Sequence, residues 1–187
     1  EVFDCWFESG SMPFAQIHYP FENKEIFQNN FPADFIAEGL DQTRGWFYSL
    51  LNLSVGIFDK ASYKNVIVNG ILLAEDGEKM SKSKNNFTDP MILVEKFGAD
   101  SFRQTLLSSP AMCAENILFS DKAVEETYKK IVAKLENVLS FYESTINHQP
   151  VSVDTKDPLC IWILERLKDV IQSTTEAMNN YKLDQAT

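Results

Sequence analysis

The chain has 187 residues, of which 44% are hydrophobic and 24% charged, and a formal net charge of −10; that is room for one good core, or for one medium domain plus a piece of another. The acidic balance argues against gripping nucleic acid by bulk attraction, so RNA binding has to rest on local motifs, and no DNA partner is expected. Cys5, Cys113 and Cys160 show neither metal-ligand spacing nor a disulfide framework, His18 and His148 read as surface or loop residues, and no segment reaches the roughly 18 apolar residues needed to cross a bilayer, which together point to a reducing, cytoplasmic setting without a membrane partner.

Residues 1–32 are rich in aromatics, Pro and Asn with little periodicity, and are expected to form loops with short elements. Asp34 to Ala37 is short, apolar and followed by Glu38-Gly39, which predicts a buried strand running into a loop. From Thr43 to Phe58, Trp46, Phe47, Leu50, Leu51, Leu53 and Ile57 keep helical spacing, with Asp41 or Thr43 as the candidate cap. Residues 65–69 read as a second buried strand. Gly70 to Ala74 continues it or begins a hairpin, with Asp76-Gly77 as the turn signal. Strand, helix, strand is the unit of a parallel sheet.

After the turn comes a Lys-rich polar stretch, Lys79 to Asn86. Asp89-Pro90 then starts a helix that Gly98 ends, and a second short helix covers 99–107. From Ser120 the character changes. Val124, Tyr128, Ile131, Leu135, Val138 and Tyr142 form one long stripe. Residues 147–157 are a polar loop with Pro150. Asp157-Pro158 opens another helix, striped by Ile161, Leu164, Leu167, Ile171, Ala177 and Tyr181, and the two helices suggest an antiparallel bundle. The expected boundary separates residues 1–119 from 120–187.

The sharpest signal is Lys79-Met80-Ser81-Lys82-Ser83. Two lysines three apart, separated by small hydroxyl residues, make a flexible loop with two movable ammonium groups, suited to follow the charge that shifts in nucleotidyl transfer. A generic Lys-Xaa-Xaa-Lys is far more often a solvated loop. A second signal, Glu38-Gly39-Leu40-Asp41-Gln42-Thr43-Arg44-Gly45-Trp46-Phe47, sits at the carboxyl end of a strand, where open α/β sheets bind ligands. Gly39 allows close backbone approach, and Glu38, Asp41 and Gln42 can accept hydrogen bonds from ribose hydroxyls or an amino group. Helix capping by Asp41 and a plain surface Glu38 is an equal alternative on these grounds. A third segment is Asp4-Cys5-Trp6-Phe7-Glu8-Ser9-Gly10-Ser11, in which Trp6, like Trp46, is either core or the flat wall of an aliphatic pocket.

The Lys79–Ser83 string is identical to the signature loop of class I aminoacyl-tRNA synthetases, and its setting of strand, acidic Gly turn, loop, Asn85 and Pro90-started helix resembles theirs. The Glu38–Phe47 segment is similar to that of isoleucyl-tRNA synthetases, as is Asp4–Ser11, with Glu8 in place of the more usual Asp. Bacterial members commonly have His at the position of Thr43, so the likeness is to the eukaryote-like branch. The resemblance implies the second half of a Rossmann-like, parallel-sheet α/β nucleotide-binding domain, followed by the start of an all-α helical anticodon-binding domain. It implies ATP-dependent ligation of isoleucine to tRNA through an isoleucyl-adenylate. Lys79 and Lys82 would be catalytic; Lys82, with Met80, Ser81 and Ser83, would bind ATP. Glu38, Gly39, Asp41 and Gln42 would hold the adenylate, and Trp6 and Trp46 would wall the amino-acid pocket. Mg2+ would come with the ATP, with no protein ligand identified.

Both ends read as cut, since Glu1 is not Met and the last residues continue a helical pattern. A fragment is therefore expected. The family's His-rich phosphate-binding turn and editing insertion are not in this sequence, and the rest of the anticodon-binding domain would lie past Thr187. The alternatives are a valine-, leucine- or methionine-specific relative, and a non-catalytic helical interaction module carrying a decayed nucleotide fold.

Overall fold

A computed structural model of the chain describes residues 2–146 and 156–187. The expectations for His148, Pro150 and most of the 147–157 loop lie outside the described residues. The chain divides into two compact units, Glu1–Gly70 and Ile71–Thr187, and each is described by itself.

The short elements expected in residues 1–32 are three helices, α1 (Cys5–Gly10), α2 (Met12–Ala15) and α3 (Lys24–Asn30). Asp4 starts α1 by accepting from the Trp6 amide at 2.8 Å, and Pro13 lies in the first turn of α2, where a missing N–H costs nothing. Elements of four to seven residues are too short to show a 3.6-residue period, which is why the sequence does not mark them as helices. Much of the phenylalanine collects around Phe58: Phe14, Phe27 and Phe31 lie 5.1–5.5 Å from its ring, and Tyr19 stacks on Phe27 at 4.1 Å.

The strand–helix–strand expectation holds. β1 (Ala33–Gly39), a 3-10 turn (Leu40–Arg44), α4 (Trp46–Phe58) and β2 (Tyr63–Asn69) succeed one another in order, and β1 and β2 pair in parallel from Ala33↔Tyr63 to Gly39↔Asn69. Ile36, Phe47 and Leu50 form the core under Trp46, Tyr63 and Val68. Burial raises the Tyr63 phenol above its ordinary range, so it stays a neutral donor, 3.5 Å from the Phe47 carbonyl. Phe35 and Val66 remain 51% and 40% exposed. Strands of parallel sheets are ordinarily buried on both faces, so this pair presents an uncovered apolar face.

In the second unit β3 (Leu72–Leu73) pairs in parallel with β4 (Ile117–Leu118), and Leu73 forms an antiparallel bridge to Lys79. The Asp-Gly turn lies between Leu73 and Lys79: Gly77, at φ 80°, donates to the Ala74 carbonyl, and Ala74 donates to that of Glu78, both at 2.9 Å. The hairpin alternative for Gly70–Ala74 is the one realised. β4 is not foreshadowed in the sequence, because two residues pairing across 45 positions leave no local pattern.

α5 (Pro90–Phe97) and α6 (Ala99–Leu107) have the predicted bounds. Asp89 caps α5 through the Met91 amide at 2.9 Å, and Gly98, at φ 81°, separates the two helices. A 3-10 turn (Pro110–Cys113) precedes β4. Ser120 caps α7 (Asp121–Thr127), which continues through a π turn (Tyr128–Val132) into α8 (Ala133–Thr145). α9 (Pro158–Asn179), capped by Asp157, and α10 (Leu183–Ala186) complete the unit. Val124 of α7 is fully buried with Leu93 and Phe97, so packing runs continuously across residue 120. Beyond the π turn the stripes open: Leu135, Val138, Leu164 and Leu167 are exposed.

Candidate functional site

The first motif is built at the carboxyl end of β1. Glu38 and Gly39 are the last strand residues, opposite Val68 and Asn69, and Glu38 is exposed. The chain then tightens into the 3-10 turn. The Asp41 carboxylate folds over Gly39, whose Cβ, if present, would lie 2.7 Å from Oδ1. Gly39 thus makes room for Asp41.

Neither Asp41 nor Thr43 caps α4: its N-cap residue is Gly45, which has no side chain to bond, and the Gln42 side chain serves the helix start instead. α4 starts only at Trp46, one turn after Gln42, so the Gln42 carboxamide oxygen reaches the Trp46 amide at 2.8 Å. Gln42 Nε2 donates to Asp41 at 3.2 Å and has a second hydrogen for another partner. The Thr43 hydroxyl donates to the Leu40 carbonyl at 2.9 Å, which holds the turn.

Trp6 lies across Gly45: a Cβ there would be 3.0 Å from the indole Cη2 and 2.7 Å from Gln42 Oε1. Gly10 does the same service for α1, since its Cβ would meet Ser49 backbone at 3.0 Å. These two glycines draw α1 against α4, and beside them opens a hollow of about 340 Å³ lined by Trp6, Phe7, Arg44, Gly45, Tyr48 and Leu53. Trp46 is not part of that lining. It packs on the Ile36–Phe47–Leu50 core and donates its indole N–H to the Ser9 carbonyl at 3.0 Å.

The second motif lies in the second unit. Lys79 leaves the hairpin through its bridge to Leu73. Met80 is half-buried, and Lys82 and Ser83 are exposed. The Ser81 and Ser83 hydroxyls lie 2.7 Å apart, and the amides of Lys84 and Asn85 close a turn onto the Ser81 carbonyl at 3.1 and 3.0 Å. Lys84 pairs with Glu78 at 3.1 Å, a solvated contact of little energetic weight. Asn86, which no sequence motif singles out, bonds to both Lys79 and Ser81 backbone. Beyond it in the chain, Thr88 donates to Asp121 at 2.6 Å.

His18 is exposed and faces Glu22 at 3.4 Å. The three cysteines are free thiols, and that of Cys113 is raised by desolvation, with Asp184 and Glu115 adding to the shift. Among the described residues no three His, Cys, Asp or Glu side chains are grouped to hold a metal ion.

A family model for class I tRNA synthetases (I, L, M and V) matches residues 1–118. The chain belongs to this family. It is 49% identical, over its whole length, to an isoleucine–tRNA ligase of Treponema denticola. It is 47% identical, over 98% of its length, to a cytoplasmic isoleucine–tRNA ligase of Caenorhabditis elegans. The chain spans 18% and 17% of those two proteins. Bacterial and animal relatives are nearly equally similar, so the branch assignment rests on Thr43 alone. Among solved structures, the fold matches Mycobacterium tuberculosis methionyl-tRNA synthetase in complex with methionyl-adenylate, with a TM-score of 0.75 at 20% identity, over 97% of this chain and 35% of that one. It also matches an Agrobacterium radiobacter LeuRS–tRNA–LeuAMS complex, with a TM-score of 0.74 at 18% identity, over 98% of this chain and 25% of that one. The α/β class with a parallel strand pair is that of the synthetase fold.

Proposed function

We propose that the full-length protein containing this chain joins isoleucine to its tRNA through an isoleucyl-adenylate. The observation that carries this reading is the 49% identity to a protein named isoleucine–tRNA ligase over the whole chain, Lys loop and Glu38 segment included. The methionyl-adenylate and tRNA named with the structural neighbours support ATP and tRNA as co-substrates. Residues 1–119 are then the second half of the catalytic domain and 120–187 the start of the helical tRNA-binding domain. A relative named cytoplasmic supports that compartment, and among the described residues no helix is long and apolar enough to cross a membrane.

In the first step an isoleucine carboxylate oxygen attacks the α-phosphorus of ATP in line. The bond from that phosphorus to the bridging oxygen breaks, and pyrophosphate leaves with the electron pair. Lys82, with Lys79, meets the charge growing on the phosphates, and Ser81, Ser83 and the Met80 backbone complete that contact. Glu38, Gly39, Asp41 and Gln42 hold the adenylate, while Trp6 bounds the hollow for the side chain and Trp46, which lies outside that lining, is the candidate second wall. In the second step the terminal ribose hydroxyl of tRNA takes the aminoacyl group and AMP leaves. Placement and fixed positive charge do the work, and no side-chain nucleophile is needed. Mg2+ would arrive on the ATP phosphates; among the described residues no ligand for it is identified, and no step is assigned to it.

Pyrophosphate exchange into ATP by the full-length protein tests the reading. Isoleucine should support it best, with a preference over valine of roughly 10- to 200-fold, a range already familiar for synthetases that separate amino acids by one methylene. Greater exchange with valine, leucine or methionine would assign a different relative. No exchange with any of them would leave a non-catalytic module.

A further inference from the structure

The loop of lysines is held from within by one side chain. Asn86 accepts from the Ser81 amide at 2.9 Å and donates to the Lys79 carbonyl at 3.2 Å. Its carboxamide therefore spans Met80, fixing the backbone on either side. Asn85, just before it, has φ 48°, in the left-handed region that Asn tolerates better than most residues; this reversal brings the Asn86 side chain back to the preceding loop. Asn86 is half-buried; its bond from the Ser81 amide is partly shielded from water, while its bond to the Lys79 carbonyl is exposed.

We propose that Asn86 is a positioning residue for the two loop lysines: by tying Lys79 to Ser81 it holds the backbone that carries Lys79 and Lys82 in the form that meets the phosphates. This rests on the synthetase reading above. A carboxamide suits the task because it combines an acceptor with donors on one short, rigid group. Asp offers no donor at neutral pH, and Ala offers neither. The clamp reduces the chain entropy lost when the ammonium groups close on ATP, which is a contribution to rate rather than to isoleucine binding.

The test uses the full-length protein with Asn86→Ala and Asn86→Asp. Trypsin cuts after Lys, and the loop carries Lys79, Lys82 and Lys84. Without the clamp, cleavage in the loop should quicken roughly 5-fold or more. Single-turnover adenylate formation should slow roughly 5- to 30-fold, as expected for two ordinary hydrogen bonds, with the Michaelis constant for isoleucine unchanged. Asn86→Asp keeps the acceptor for Ser81 and should fall between wild type and Asn86→Ala on both measures. If Asn86→Ala does not fold, Asn86→Asp against wild type carries the same comparison. Wild-type loop cleavage in the variants overturns the clamp. Faster cleavage with an unchanged rate of adenylate formation overturns the positioning role. Failure of the synthetase reading looks different: the wild-type full-length protein would then form no adenylate with isoleucine, valine, leucine or methionine, while the cleavage comparison for Asn86 would stand.

Discussion

The indole N–H of Trp46 donates to the carbonyl of Ser9 at 3.0 Å, across 37 residues of chain. That bond ties the start of α4 to the end of α1, the helix that carries Trp6. It makes Trp46 a structural link between two segments as well as a candidate pocket wall. The two roles separate by substitution. Trp46→Phe keeps a ring and loses the donor, leaving the Ser9 carbonyl to water; the cost should be about 1 kcal/mol of local stability. Trp46→Ala also removes the candidate wall, and on the proposed function should raise the Michaelis constant of the full-length protein for isoleucine at least tenfold more than that for ATP. Equal effects on both substrates, measured by pyrophosphate exchange, would leave Trp46 as core only.

Gln42 connects the same region from the other side. Its oxygen satisfies the Trp46 amide at 2.8 Å, one of the four donors a helix start leaves unpaired. Gln42→Ala should cost about 1 kcal/mol locally. Amide hydrogen exchange in the full-length protein should quicken over residues 43–50 and remain unchanged over 90–107. Gln42→Glu retains the acceptor and should restore protection. Unchanged exchange in Gln42→Ala would remove the cap from the account.

Gly45 is the position where a single methyl tests the Trp6 packing. The indole is rigid, so a Cβ 3.0 Å from it forces the ring to tilt. Gly45→Ala should destabilise by about 1–3 kcal/mol, as overpacking does, and shift the fluorescence of the tryptophans. It should raise the Michaelis constant for isoleucine more than that for ATP. An unaltered isoleucine constant together with an unaltered spectrum would place Trp6 outside the pocket.

The parts of this fold that were legible in the sequence carry their own local signals. β1, α4 and β2 show in apolar runs and spacing, and α5 in Asp89-Pro90 at one end and Gly98 at the other. α1 to α3 are too short for a period to show, and β4 depends on a distant partner. The stripe from Val124 to Tyr142 is helical as read, but not one uniform α-helix. Its spacing is helical throughout, yet a π turn at Tyr128–Val132 widens the helix there and rotates α8 relative to α7. Val124 packs on Leu93 and Phe97 while Leu135 and Val138 are exposed, as are Leu164 and Leu167 of α9, where there is no π turn. In the site, residue types and loop position could be read directly. The Gln42 cap and the Asn86 clamp could not, because each is a side chain turning back on its own backbone.

On the proposed function the loop lysines act on the charge of the departing pyrophosphate, and Lys82 is the residue at which this shows. A charge-assisted contact in a site closed to water contributes roughly 2–4 kcal/mol, so Lys82→Ala in the full-length enzyme should slow adenylate formation by about 30- to 1000-fold. Isoleucine binding should hardly change, since the contact is made in the transition state. Lys82→Arg should recover only part of the rate, because a planar guanidinium presents its charge differently. Single-turnover adenylate formation at saturating ATP is the measurement. A loss within that range with an unchanged isoleucine constant is the predicted result, and a near-normal rate for Lys82→Ala would contradict it.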